Sequence, residues 1–185
     1  MTLGFALALA FALGWMPLFA FRTEVVGAAL PAYSPAERFW VHVTHALFSI
    51  HVTAACATLT LSEEIPMWLA ALSLAVYGIA IAFWFWARLL IGPLRERRLP
   101  DQPPTSLRRD GAFGVVRNPL YLAYLVAVAA PVLAARQPLL LLTFGLCVIA
   151  VVVRATQDER RLHAQLGVEY EAYCRQVKRL VPFLW

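Results

Sequence analysis

The sequence predicts an all-α, polytopic membrane protein with about five transmembrane helices and a cytoplasmic C-terminal amphipathic helix. Three observations carry that prediction. Apolar residues make up 61% of the chain and charged residues 15%, against soluble-domain averages of about 45–50% and about 25%. Apolar runs recur at the length needed to cross a bilayer. The basic residues fall almost entirely into alternate segments between those runs.

The first run, Leu3 to Phe21, is closed by Arg22 and has no basic segment before it. It exceeds the roughly 7–15 residues of a signal-peptide core, so it reads as a retained span. A second run covers Phe39 to Leu61 and a third Pro66 to Ile91. Each meets the requirement of about 20 residues for a membrane helix. The third ends in Phe83-Trp84-Phe85-Trp86 and then Arg88, the aromatic and basic mixture that suits a headgroup boundary.

Residues 93–117 form the longest polar stretch, with four prolines and six arginines, and read as an ordered cytoplasmic loop. From Leu120 to Val153 run 34 mostly apolar residues, broken once at Arg136-Gln137-Pro138. One helix of that length would be about 51 Å, too long for a hydrocarbon core of about 30 Å, so two spans joined at Arg136 are expected. Each half, at about 24 Å, is slightly short. The tail from Arg154 to Val177 carries Leu162, Leu166, Tyr170, Tyr173 and Val177 at spacings of three and four, an amphipathic stripe. Gly167 is placed to break it, and Pro182 stops the pattern before Phe183-Leu184-Trp185.

Charge fixes the orientation of this scheme. With the N-terminus outside, 15 of the 16 basic residues lie on the inner side and only Arg136 outside. The Pro93–Arg117 loop and the tail then share the cytoplasmic face, as expected for a prokaryotic inner-membrane protein. The chain divides into N-terminal helices, residues 1–92, and a C-terminal region, residues 93–185. The net charge of +5 matches an anionic leaflet better than a nucleic acid, and no nucleic-acid partner is expected. Cys56, Cys147 and Cys174 are scattered, which fits neither a disulfide framework nor a thiolate metal site.

Three groups of residues invite a chemical reading. His42, His45 and His51 share the second span, but His51 lies about 180° around the helix from His42, so they do not converge on a metal or haem. Hydrogen bonding between helices is the simpler role for such imidazoles. The second group is Gly111-Ala-Phe113-Gly-Val-Val-Arg117-Asn118-Pro119-Leu120-Tyr121, a glycine-marked turn entering a helix with Pro119 near its first position. Amides at a helix start, together with the two-pronged donor of Arg117, suit a carboxylate or phosphate. A surface loop whose Arg117 holds lipid phosphate would give the same pattern. In the third, Arg154 and Asp158 stand four apart where the last span leaves the bilayer, with Glu159 beside them. A snorkelling arginine with a weak surface ion pair explains that pair equally well.

Taken together, the second and third groups resemble the isoprenylcysteine carboxyl methyltransferase-like family, which is similar to phospholipid N-methyltransferases. The resemblance covers about Thr105 to Pro182. It runs through Gly111-Ala-Phe113, Arg117 to Tyr121, and Arg154 with Asp158-Glu159. It continues through Leu166-Gly167-Val-Glu-Tyr170-Glu-Ala-Tyr173 and Arg179 to Pro182. It implies S-adenosylmethionine as cofactor and a membrane lipid or lipidated small molecule or peptide as substrate, in the family's case a prenylcysteine-type carboxylate. By the same resemblance the turn amides and Arg117 would face the methionine carboxylate, Phe113, Asn118, Pro119 and Leu120 would also be cofactor contacts, and Tyr121 would line the pocket. Asp158 or Glu159 would accept from the ammonium or ribose. Leu107, in the stretch Thr105 to Arg108, would close over the adenine, and Arg154 would orient the acceptor as the catalytic residue. No metal is implied. Asn118 stands where the family has histidine and Asp158 where it has glutamate. The competing expectations are phospholipid or small-molecule methylation at nitrogen or sulfur, and a non-enzymatic helical membrane protein.

Overall fold

A computed structural model describes residues 2–20, 34–62, 64–96, 107 and 109–182. Seven helices occur among them: α1 (Leu3–Ala20), α2 (Pro35–Leu61), α3 (Met67–Glu96), α4 (Ala112–Val115), α5 (Pro119–Ala135), α6 (Pro138–Leu166) and α7 (Val168–Gln176). The only β-type pairing among the described residues is an isolated parallel bridge between Val116 and Lys178. Three helical stretches, Pro35–Leu61, Met67–Leu90 and Pro138–Leu166, are long and apolar enough to cross a membrane. Leu3–Trp15 and Pro119–Ala135 are shorter apolar helices.

Helix boundaries follow local chemistry. Ser34 opens α2 with a reciprocal cap: its hydroxyl accepts from the Glu37 amide at 3.3 Å, and Glu37 Oε2 accepts from the Ser34 amide at 2.7 Å. Pro119 and Pro138 occupy the first turns of α5 and α6, where a missing N–H costs nothing. Arg136 closes α5 in the left-handed region at φ 50, so the expected break falls between two helices. Gly167, at φ 49, ends α6 and admits α7, a conformation strained for any residue with a Cβ.

Two boundaries differ from the sequence reading. α3 runs on to Glu96, so Pro93 lies inside its last turn and the polar segment starts later than expected. The Leu-Arg-Glu that follows Pro93 favours continued helix. The second half of the hairpin is not a short span followed by a separate tail helix: α6 continues unbroken for 29 residues, about 43 Å, through Arg154 to Leu166. Arg154 therefore lies about 24 Å along a rigid rod. The tail stripe divides at Gly167, as its position suggests, among α6, α7 and the extended Val177, and its residues collect with Leu107 in a second small core.

α5 packs chiefly on α3, α6 on α2, and α1 on α2. Ala123, Ala127, Ala130 and Ala134, all buried, form one small-residue face that lets α5 approach closely. Polar side chains pin this contact. Ser73 of α3 donates to the Ala130 carbonyl at 2.5 Å, and His51 of α2 bonds the Val128 carbonyl at 2.8 Å and Thr143 Oγ1 at 2.7 Å. Because a carbonyl only accepts, His51 carries its proton on Nε2. These bonds flank Pro131, which cannot donate to the Ala127 carbonyl one turn back. Ser62, Glu64 and Ile65 share one end of the bundle with Arg136 and Gln137, lining a single groove with Thr58 and Leu61. The α4–α5 turn, Arg154, Asp158 and the C-terminal segment gather at the other.

Candidate functional site

Two adjacent acids on α6 organise that charged end. Asp158, fully buried, accepts the Tyr121 phenol from α5 at 2.7 Å on Oδ2. Arg154, one turn earlier and 2% exposed, lies 3.8 Å from the same oxygen. Arg161 lies 3.6 Å from Oδ1 and reaches Glu37 of α2 at 3.7 Å. Among the described residues Oδ1 accepts no hydrogen bond. A fully buried carboxylate oxygen without a donor is costly, and such a group marks a place where a donor is expected to arrive.

Glu159 turns the other way. It accepts from Arg117 Nε at 3.1 Å, Asn118 Nδ2 at 3.0 Å and Arg179 Nε at 2.9 Å. Arg117 spends its remaining fork on the carbonyls of Cys174 and Val177, at 3.1 and 2.8 Å. Burial opposes the charge on Arg117, but the hydrogen bonds and charge of Glu159 outweigh it and raise its pKa. Burial pushes the Tyr170 and Tyr173 phenols and the Cys174 thiol upward, so all three stay protonated near neutrality.

The turn before α5 is likewise occupied. Gly111 adopts φ 57, and a Cβ there would meet Leu90 of α3 at 2.7 Å. The amides of Phe113, Gly114 and Val116 bond within the turn, while those of Arg117 and Asn118 bond the carbonyls of Lys178 and Arg179 at 2.8 and 3.1 Å. The Phe113 carbonyl accepts the Tyr173 phenol at 2.6 Å. The anion cradle expected from these amides and Arg117 is thus filled by the protein's own tail.

The ten site residues named from sequence separate into three groups. Arg154, Tyr121 and Asp158 meet at one cluster, while Arg117, Asn118 and Glu159 meet at the other. Phe113, Pro119 and Leu120 are buried packing residues of the turn and the α5 start, and Leu107 packs on Tyr170 and Tyr173. Thr105, Ser106, Arg108 and Phe183 to Trp185 lie outside the described residues. The sequence reading missed Arg161 and Glu37. Both left a signal: Arg161 is seven residues from Arg154 on the same helix face, and Glu37 completes a Ser-x-x-Glu cap.

Elsewhere, among the described residues, no three His, Cys, Asp or Glu side chains come together as metal ligands. No family model matches the sequence, and no curated protein matches it. The site's chemistry therefore rests on the geometry alone. A cofactor with an amino-acid end and a ribose suits this donor set at one place: Asp158 Oδ1 can accept an ammonium or a hydroxyl beside Tyr121. Arg117 and Glu159 have no comparable capacity left.

Proposed function

We propose that the chain is an integral membrane methyltransferase that uses S-adenosylmethionine to methylate a lipid-like or prenylcysteine-type acceptor at its carboxylate. The observation that carries this reading is the buried Asp158 oxygen that has no donor among the described residues, beside Arg154 and Tyr121, near the end of a membrane-length helix. Asp158 would accept from the cofactor's ammonium or ribose, with Tyr121 fixing the orientation of the carboxylate. The cofactor, when bound, supplies an electrophilic methyl group.

A carboxylate acceptor would already be ionised, so the residues here would have only to hold it behind that methyl group. No proton has to move. This suits the acids nearest Arg154: Glu37, Asp158 and Glu159 are each paired with an arginine. Arg154 would hold the acceptor's anionic group in line, and placement of this kind supplies several kcal/mol of a displacement barrier.

Incubation of the purified protein with isotopically labelled S-adenosylmethionine and membrane lipid or prenylated-peptide extracts tests the proposal. A labelled methyl ester, base-labile and attached to a lipidated acid, is the expected product. Label on a phospholipid amine would move the acceptor to nitrogen. No transfer to any fraction would overturn the enzyme reading.

A further inference from the structure

Asp158 and Glu159 are neighbours in sequence but point about 100° apart around α6. A carboxylate offers about four acceptor sites. In Glu159 all are taken: Oε1 by Arg117 Nε and Asn118 Nδ2, Oε2 by Arg179 Nε and, at 3.4 Å, Arg117 Nη2. Arg179 Nη2 adds an ion pair at 2.8 Å, and its Nη1 reaches Thr156 Oγ1 at 3.5 Å on the same helix. Two segments distant in sequence, the turn before α5 and the chain after α7, converge on this one side chain near the C-terminal end of α6. Backbone bonds from Arg117 and Asn118 to Lys178 and Arg179 run alongside.

We infer that Glu159 is a positioning residue and not a ligand contact: it is the buried hub of a clamp in which Arg117, Asn118 and Arg179 lock the start of α5 and the C-terminal segment to α6. Asn118 stands at the N-cap position of the helix that carries Tyr121 three residues later, with its side chain turned to Glu159, and Glu159 is joined directly to Asp158. The clamp therefore sets the distance between the Tyr121 phenol and the Asp158 carboxylate. This assignment rests on the proposed role of Asp158 and Tyr121 as the cofactor seat. The clamp itself has an independent readout. Cys174 is half-buried on α7, and its carbonyl is held by Arg117, so release of the tail exposes its thiol.

The test measures maleimide labelling of Cys174 by peptide mass spectrometry, and S-adenosylhomocysteine affinity, in the full-length protein in detergent. Glu159→Gln and Arg179→Gln should each speed Cys174 labelling by about tenfold or more, since loss of a buried ion-pair partner raises the open population. Both should weaken S-adenosylhomocysteine binding less than Asp158→Asn does. Arg179→Lys should restore part of both properties, because it keeps the charge and loses the fork. Combining Glu159→Gln with Arg179→Gln should be no worse than either alone. Glu159→Gln with unchanged Cys174 labelling overturns the clamp, and does so most clearly if ligand binding is lost, since Glu159 would then be a ligand contact. If the parent protein binds no S-adenosylhomocysteine, the proposed function fails, while the labelling rates still decide the clamp.

Discussion

The middle of the bundle and its charged end both bury polar side chains, and they treat them differently. In the middle, His51, Ser73 and Tyr77 each reach a carbonyl on another helix, at 2.8, 2.5 and 2.9 Å. These groups hold helices together where no water can serve them. At the charged end one acid, Glu159, is satisfied in the same way, but Asp158 keeps a fully buried oxygen with no hydrogen-bond donor among the described residues. Burial of a polar group therefore does not by itself indicate a site. What sets Asp158 apart, among the described residues, is an unbonded carboxylate oxygen beside two arginines and a phenol.

Substitutions can break this contrast. The largest effect is expected at Arg154. Arg154→Ala should leave S-adenosylhomocysteine affinity within a few-fold of the parent while methyl transfer falls by about a hundredfold or more, as lost orientation does. Arg154→Lys should recover only part, because an ammonium lacks the planar two-pronged donor. Parallel loss of affinity and transfer would make Arg154 a brace for Asp158. Full activity in Arg154→Ala would reduce it to a membrane-boundary anchor.

A smaller and opposite pattern is expected at His51. Removing it takes away the side-chain bond to the Val128 carbonyl and leaves Thr143 only its own-helix bonds to the Leu139 and Leu140 carbonyls, which costs about 1–3 kcal/mol. His51→Ala should lower the thermal midpoint in detergent while the affinity of the folded protein for S-adenosylhomocysteine stays unchanged. A stable variant that had lost ligand binding would place function in the middle of the bundle and erase the contrast between the two regions.

Much of the architecture could be read from the chain. Hydrophobic run length located the helices, and the single Arg136-Gln137-Pro138 break located the turn between α5 and α6. Gly167 marked the end of α6. Helix ends were harder. Pro93 suggests a boundary, yet α3 passes through it, because one proline in a last turn loses little when good helix formers follow. The length of α6 was hidden because apolar composition ends at Val153, whereas helical hydrogen bonding continues to Leu166.

The site was legible as a set of residues but not as a set of partnerships. Arg117 and Asp158 both suggested ligand contacts, since each is a charged residue at the edge of an apolar run. Which of them is already paired depends on contacts 37 to 60 residues apart, such as Tyr121 with Asp158 and Arg117 with Val177. No periodicity encodes those. Arg179 lay within a basic run that could have been a solvated surface; its ion pair with Glu159 exists only because the tail folds back beside Val116.

The central claim is that the open oxygen of Asp158 receives the cofactor. Calorimetric titration of S-adenosylhomocysteine into the parent protein and into Asp158→Asn tests it most directly. The substitution keeps the size of the side chain and removes its charge. The parent should bind, and Asp158→Asn should bind about ten- to a hundredfold more weakly, the worth of one charge-assisted hydrogen bond. Equal affinity in the two proteins would contradict the claim and leave the buried oxygen without a ligand.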